Sequence, residues 1–132
     1  MTKPIKELAF RDDILYSDKH TWAKVEGDLV KIGITDFAQD QLGDIIFVEL
    51  PNSGETYSKD DTFGQAESAK SVSSLYMPLS GTIVEVNTLL EDSPQSVNGE
   101  PYDKGWMIVV KYSNPDELAE LLSKADYMNQ IK

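Results

Sequence analysis

The segment best suited to chemistry in this sequence is a lysine between two small residues, Ala69-Lys70-Ser71. Strand-like segments flank it on both sides, so we predict a β-hairpin with Lys70 at its tip. The amine of a lysine at such a tip faces solvent, and its small neighbours leave room for an approaching enzyme. Covalent attachment of a long, mobile cofactor needs this arrangement. The simpler interpretation is a lysine that only solvates a turn.

Other catalytic chemistry has few residues to support it. The sequence contains no cysteine, which excludes disulfides, thiolate metal sites and cysteine nucleophiles. With one histidine, His20, the sequence cannot form a multi-histidine metal cage, and it offers little for the nucleophile and base of a small hydrolase. His20 fits a docking groove and ordinary packing equally well. We therefore expect no catalytic residue and no metal ligand, and any thiol chemistry would come from an attached group.

The charge balance is strongly acidic, with 23 Asp and Glu against 12 Lys and Arg and a formal net charge of −11. Such a surface repels nucleic acids and anionic membranes, and it favours basic partners. No apolar run reaches the roughly 18 residues of a membrane span. The N-terminus mixes acids with bases, unlike a secretory signal or a transit peptide. We therefore expect a cytoplasmic protein of a prokaryote that binds neither nucleic acid nor membrane.

The elements that must position Lys70 are mostly short strands. A chain of 132 residues fits one domain, which we place at 14–132 behind an N-terminal arm at 1–13. Apolar alternation and turn residues predict strands at 22–25, 29–34, 45–50, 62–68, 72–77, 82–87 and 106–111. The run at 45–50 is apolar almost throughout, which predicts a strand covered on both faces.

Two helical segments accompany these strands. Thr35 can cap a short helix that Gly43 ends, with apolar residues on one face between them. Asn114 and Pro115 begin a second segment, whose apolar residues recur at helical spacing. These residues are Leu118, Leu121, Leu122 and Ala125. We therefore expect a mainly β fold, a small sandwich, with an amphipathic C-terminal helix from about residue 114.

A series of short motifs runs along most of the chain in a specific order. They read Tyr16-Ser17-Asp18-Lys19-His20-Thr21-Trp22, Ile32-Gly33-Ile34-Thr35-Asp36-Phe37-Ala38-Gln39, Leu42-Gly43-Asp44, Phe47-Val48-Glu49-Leu50-Pro51, Glu67-Ser68-Ala69-Lys70-Ser71, Leu75-Tyr76, Pro78-Leu79-Ser80-Gly81, Glu85-Val86-Asn87, Pro101-Tyr102 and Gly105-Trp106-Met107. Together, over about residues 16–127, they resemble the H protein family of the glycine cleavage system. One such motif would be weak, whereas the ordered set is specific.

The resemblance implies a barrel-sandwich hybrid of two small antiparallel sheets, with a lipoyl-lysine on a hairpin. Lys70 occupies the position of that lysine, so the implied cofactor is lipoate in amide linkage to Lys70. A lipoate ligase or a lipoyl or octanoyl transferase would attach it. The chain would be a non-catalytic carrier of an aminomethyl group and reducing equivalents among glycine decarboxylase, aminomethyltransferase and dihydrolipoyl dehydrogenase. A long arm raises the local concentration of its cargo at each active site.

Three alternatives stay open on the sequence. An H-like carrier can serve another lipoyl-dependent pathway, either sulfur oxidation with a heterodisulfide-reductase-like complex or a lipoyl relay. A biotin carrier shares the fold, but its lysine usually lies between methionines, unlike Ala69 and Ser71 here. An unmodified interaction domain would keep the fold without the cofactor.

Two positions depart from the family pattern. Thr21 stands where the resemblance implies a glutamate, and Ser74 stands where it implies an acid. In the family, acidic and polar groups near the arm help to hold a cationic aminomethyl group, and a hydroxyl cannot match a charge-assisted hydrogen bond. We therefore expect this chain either to hold a loaded arm weakly in glycine cleavage or to serve another lipoyl-dependent pathway, of which sulfur oxidation is the more specific choice.

Overall fold

The computed structural model describes Pro4 and residues 7–131. Its elements are β1 (Leu15–Tyr16), β2 (Thr21–Glu26), β3 (Leu29–Ile34), α1 (Asp36–Leu42), β4 (Ile45–Glu49), β5 (Thr56–Tyr57), β6 (Thr62–Ser68), β7 (Val72–Tyr76), β8 (Gly81–Val86), α2 (Leu89–Asp92), α3 (Ser96–Gly99), β9 (Ile108–Tyr112), a 3-10 helix (Pro115–Glu120) and α4 (Lys124–Ile131). Every predicted strand is present within two residues of its predicted ends, because apolar alternation and turn residues are local signals.

The strands of the described residues form two sheets. The larger has six strands in the order β1-β2-β3-β9-β8-β5, and the smaller has three in the order β4-β6-β7. Every pairing is antiparallel. The expected mainly β fold of two antiparallel sheets is therefore confirmed.

Both sheets contribute to the main apolar core. Val30 and Ile32 of β3 are fully buried, and Ile83 of β8 is 1% exposed. The smaller sheet supplies Phe63 and Leu75, which are 3% and 2% exposed. Removing this apolar surface from water is the main favourable contribution to folding, and it holds the two sheets together.

A second, aromatic cluster lies around Tyr16, Trp22, Tyr102 and Tyr127. Trp22 is fully buried, and its indole N–H donates to the Pro101 carbonyl at 2.9 Å. The rings of Tyr16 and Tyr127 stack with centroids 4.8 Å apart, which joins α4 to β1. This cluster fastens the C-terminal helix to the larger sheet.

The described part of the N-terminal segment contacts this aromatic cluster. The Tyr102 hydroxyl donates to the Ala9 carbonyl at 2.7 Å, and the Ala9 N–H donates to Asp36 Oδ2 at 2.7 Å. The Arg11 N–H donates to the Tyr16 hydroxyl at 2.7 Å. Most of the first six residues of the predicted arm lie outside the described part of the chain. The arm boundary at residue 14 stays a prediction.

The C-terminal segment does not begin as an α-helix, contrary to the prediction. Asn114 caps its start as expected, because its side chain accepts a hydrogen bond from the Asp116 N–H at 3.1 Å. The turn that follows, Pro115–Glu120, is a 3-10 helix, and Leu121 then adopts an extended backbone.

A backbone pairing explains this interruption. Leu122 and Tyr16 exchange two hydrogen bonds, of 2.6 and 2.8 Å, so the chain at Leu122 is extended. The α-helix begins only at Lys124 and buries Tyr127. Tertiary pairing here outweighs the helical spacing of the leucines, as it can wherever local propensity is weak.

The strand β4 also differs from its prediction, because one of its faces is open. Ile46 and Phe47 are 61% and 48% exposed. This strand is an edge of the smaller sheet, and its register with β6 shifts between Ile45 and Phe47. The continuous apolar run of β4 therefore marks an exposed apolar surface, and the strand is not covered on both faces. No helix among the described residues is long and apolar enough to cross a bilayer.

Close packing of Trp22 on Gly33 gives a direct test of the larger sheet. The two residues are cross-strand partners, and a Cβ at Gly33 would lie 2.8 Å from the indole ring. Gly33→Ala should lower the free energy of unfolding by about 1–3 kcal/mol, the usual effect of overpacking a core. Urea unfolding measures this.

The matched control is Gly99→Ala, because a Cβ at Gly99 meets no atom within 4 Å. Its free energy of unfolding should stay within about 1 kcal/mol of the wild type. Equal stability of Gly33→Ala and the wild type would contradict the packing described.

Candidate functional site

The hairpin between β6 and β7 places Lys70 at its tip, as the sequence predicted. Ser68 closes the tip, because its N–H donates to the Ser71 carbonyl at 2.9 Å and its hydroxyl oxygen accepts from the Ser71 N–H at 3.2 Å. The Lys70 N–H reaches the same hydroxyl at 3.4 Å. Ser68 is 7% exposed, whereas Lys70 is exposed. The hairpin therefore combines a fixed backbone with a free side chain.

The C-terminal end of α1 lies beneath this lysine. Gly43 ends the helix as predicted, with a φ of +84° and an N–H that donates to the Gln39 carbonyl at 3.0 Å. A Cβ at Gly43 would lie 3.4 Å from Lys70 Cε, so the lysine stem rests on the glycine backbone. Leu42, Gly43 and the hairpin tip enclose a shallow cavity of about 220 Å³.

A larger groove of about 310 Å³ opens beside the hairpin, between α1, β7 and the start of β2. Its apolar lining consists of Ile34, Phe37, Ala38, Leu42 and Leu75, and its polar lining of Lys19, His20, Thr21, Gln41, Ser73 and Ser74. Leu42 lines both the groove and the cavity under Lys70. A chain attached to Lys70 therefore has an apolar path into the groove.

The groove contains no carboxylate among its described lining residues, although the chain carries 23 acids. Its one lysine, Lys19, has its amine 5.0 Å from the centroid of the Tyr76 ring and 4.0 Å from Asp60 Oδ1. The remaining polar groups are hydroxyls, an amide and an imidazole. The groove can therefore donate and accept hydrogen bonds, but it offers no negative charge to a cation.

The two positions that depart from the family pattern differ in their surroundings. Thr21 is 1% exposed, and its hydroxyl shares a hydrogen bond of 2.7 Å with the hydroxyl of Ser17. Ser74 is exposed on β7 at the edge of the groove. A carboxylate at Ser74 would be hydrated, whereas a carboxylate at Thr21 would have to leave water.

The phenol of Tyr127 holds the wall of the groove in place. Its hydroxyl lies 2.9 Å from Thr35 Oγ1 and 2.8 Å from His20 Nδ1. Thr35 Oγ1 also accepts the Ala38 N–H at 3.1 Å and so caps α1, as predicted. Sequence reasoning assigned Tyr127 no role in the site. The available signal was a tyrosine on an apolar face, since a buried tyrosine usually finds a partner for its hydroxyl.

His20 forms part of the groove rim and is also packed. Its backbone has a φ of +70°, and its ring centroid lies 5.1 Å from that of Phe37. Burial lowers the pKa of His20, and the nearby carboxylate of Asp18 opposes this shift. Both interpretations left open by the sequence, groove lining and packing, therefore describe this residue.

The lowered pKa of His20 predicts a loss of stability on the acid side. The unfolded chain, with an ordinary histidine pKa near 6.5, binds a proton before the folded chain does. Stability should therefore fall as the pH decreases from about 6.5 to the folded pKa, by at most about 1.4 kcal/mol per pH unit from this residue. Urea unfolding across this pH range, with an NMR titration of the imidazole, measures the effect.

The control is His20→Asn, because asparagine tolerates the left-handed backbone but does not titrate. The wild type should lose more stability than this variant between pH 6.5 and the folded pKa. Parallel stability curves for the two proteins would contradict the assignment to His20.

Comparisons with known proteins agree on one family. The model of the glycine cleavage H-protein family matches residues 14–132. The glycine cleavage system H protein of Oceanobacillus iheyensis is 56% identical over 120 residues, covering 91% of this chain and 95% of the relative. That of Staphylococcus carnosus is 49% identical over 124 residues, covering 94% and 98%.

A solved structure gives the same result. The crystal structure of a glycine cleavage system H protein from Mycobacterium marinum is 39% identical, with a TM-score of 0.85, and the match covers 92% of this chain and 98% of that one. Members of the family are non-catalytic carriers with lipoate attached covalently to a lysine. These matches do not favour the other pathways considered for the carrier. The chain belongs to the glycine cleavage H-protein family and is a lipoyl carrier of glycine cleavage.

Proposed function

We propose that Lys70 is the lipoylated lysine of this carrier. One observation carries the proposal, the exposed position of Lys70 at the tip of a hairpin whose backbone Ser68 fixes. A lipoate ligase or a lipoyl or octanoyl transferase attaches the group. The carrier then serves glycine decarboxylase, aminomethyltransferase and dihydrolipoyl dehydrogenase. The cytoplasmic location expected from the sequence stays a prediction.

The surroundings of Lys70 suit the attachment of a long acyl chain. None of the ion pairs among the described residues involves Lys70, so its amine has no carboxylate to lose on acylation. The neighbouring groove is apolar along Ile34, Phe37 and Leu75. When bound, lipoate supplies the dithiolane that takes up an aminomethyl group and electrons, which this cysteine-free chain lacks.

The chain contributes position and shelter to this chemistry. Because the backbone of the tip is fixed, the freedom of the arm begins at the Lys70 side chain, and its length sets the local concentration of cargo at each partner. The apolar lining of the groove removes hydrocarbon from water at about 25 cal/mol for each Å² buried. The hydroxyls of Ser73 and Ser74 lie at the groove and can hydrogen bond to a polar cargo.

Substitution of the lysine tests the proposed attachment. Lys70→Arg should fold normally, because the side chain is exposed, and should lose the whole lipoyl mass increment, because a guanidinium does not form this amide. Intact-mass measurement of protein made in a lipoate-replete cell decides the result.

Lys104→Arg is the matched control, since Lys104 is also exposed, with 69% of its side chain accessible. It should gain the full lipoyl mass. A lipoyl mass on Lys70→Arg would show that another lysine is the attachment site.

The charge of the groove can be altered without burying a carboxylate. Ser74→Asp should prolong the retention of a cationic cargo on the arm by up to about fivefold, because an exposed ion pair contributes about 0.2–1 kcal/mol. Mass spectrometry of the loaded protein over time measures how long the cargo stays attached.

Ser53→Asp is the control, because Ser53 is exposed and lies in a different cavity. It adds the same charge and should leave the retention time unchanged. Equal retention by Ser74→Asp and the wild type would mean that the missing acid at Ser74 does not weaken the hold on the cargo.

A further inference from the structure

An apolar patch borders Lys70 on the outer face of the smaller sheet. Phe47 pairs with Glu67 across β4 and β6, and Glu67 pairs with Val72 across β6 and β7. Paired residues of neighbouring strands point to the same face, so these three side chains form a row. Phe47 and Val72 are 48% and 57% exposed. The row lies directly below the hairpin tip that carries Lys70.

A bulge adds a fourth side chain to this row. The register between β4 and β6 shifts between Ile45 and Phe47, so Ile46 is the additional residue, and it is 61% exposed. Bulges re-aim side chains and are common next to functional sites. We call Ile46, Phe47, Glu67 and Val72 the hairpin patch. Ile46, Phe47 and Val72 are the three most exposed large apolar side chains in the described part of the chain.

The charges around the hairpin patch are mostly unpaired acids. Asp44, just before β4, and Glu49, the last residue of β4, are exposed, and Glu67 lies within the patch. None of the ion pairs among the described residues involves these three carboxylates. A partner surface complementary to the hairpin patch is therefore apolar and bordered by lysine or arginine.

We propose that the hairpin patch is the surface on which the enzyme that acylates Lys70 docks. This inference rests on the proposed attachment of lipoate to Lys70. An acylating enzyme must bring its bound acyl group to the lysine amine itself, so it must cover the hairpin and the residues beside it. Enzymes that act on the far end of the finished arm can work at a distance from the hairpin.

The acylation step sets the chemistry at that surface. With an acyl adenylate as the donor, the neutral Lys70 amine attacks the acyl carbonyl and an amide C–N bond forms. The bond from the acyl carbon to the phosphate oxygen breaks, and AMP leaves. One amine proton passes to solvent. The step removes the only cation at the hairpin tip. The surface that the finished carrier shows to later partners is therefore more acidic than the one that the acylating enzyme meets.

The test is the rate of lipoylation of the full, unmodified chain by a purified lipoate–protein ligase. The variant replaces Ile46, Phe47 and Val72 by threonine, which has high β-propensity but removes the apolar surface. Its kcat/KM should fall at least about tenfold, chiefly through KM, as for loss of a central apolar anchor. Val25→Thr, at a 39% exposed position on the larger sheet, should stay within about twofold.

Four results would overturn the inference. One is wild-type kcat/KM in the threonine variant. Another is an equal loss in the reduction of the fully lipoylated variant by dihydrolipoyl dehydrogenase, since the patch would then serve all partners. A third is a dimer of the wild type at assay concentration that the variant abolishes, because a second copy would then occupy the patch. The fourth applies if the full variant does not fold, and it is normal lipoylation of Val72→Thr alone.

Salt dependence tests the charge of the docking enzyme. The wild-type lipoylation rate should fall between about 20 and about 300 mM NaCl, since screening weakens attraction between exposed charges, and Glu49→Gln with Glu67→Gln should flatten this dependence. A wild-type rate independent of salt would overturn the basic border assigned to the partner. Failure of the wild type to gain any lipoyl mass would instead refute the proposed attachment site, a separate result.

Discussion

The candidate site depends on one buried phenol. The hydroxyl of Tyr127 lies within 2.8 Å of His20 and 2.9 Å of Thr35, so a residue of the C-terminal helix holds both the rim of the groove and the cap of α1. Burial raises the pKa of Tyr127, and the hydroxyl therefore stays protonated in the physiological range. The helix that it steadies ends at Gly43, against the stem of Lys70.

The direction of this hydrogen-bond chain can reverse without loss of the cap. With Nδ1 of His20 unprotonated, the Tyr127 hydroxyl donates to it and Thr35 donates to Tyr127. With His20 protonated, Nδ1 donates to Tyr127, and Tyr127 donates to Thr35. In both cases Thr35 Oγ1 keeps a lone pair for the Ala38 N–H, so α1 stays capped. Protonation of His20 at the rim of the groove therefore leaves the cap of α1 in place.

The hairpin borders two apolar surfaces that differ in charge. The groove has an apolar lining with hydroxyls and no acid among its described lining residues. The hairpin patch is also apolar, but it has unpaired carboxylates around it. Lys70 lies between them on a tip fixed by Ser68. Shelter of the arm and recognition by a partner can therefore use different side chains, so a change to one surface need not impair the other.

The sequence by itself determined the longer strands, the short helix α1 and the family. Thr35 and Gly43 bound α1 correctly, the strands lie where apolar alternation placed them, and the small neighbours of Lys70 mark a hairpin tip. Such signals are local, because caps, turns and alternation involve residues a few positions apart. The ordered motifs added the family, since several independent matches in sequence order rarely coincide.

Only the tertiary structure decided how distant segments meet. Pairing of Leu122 with Tyr16 divides the C-terminal helix that the leucine spacing predicted. The edge position of β4 leaves Ile46 exposed, where its apolar run predicted burial. The bonds of Tyr127 join residues about a hundred positions apart. Periodicity shows which residues share a face, but what covers that face depends on contacts between segments far apart in the chain, and no local pattern encodes these.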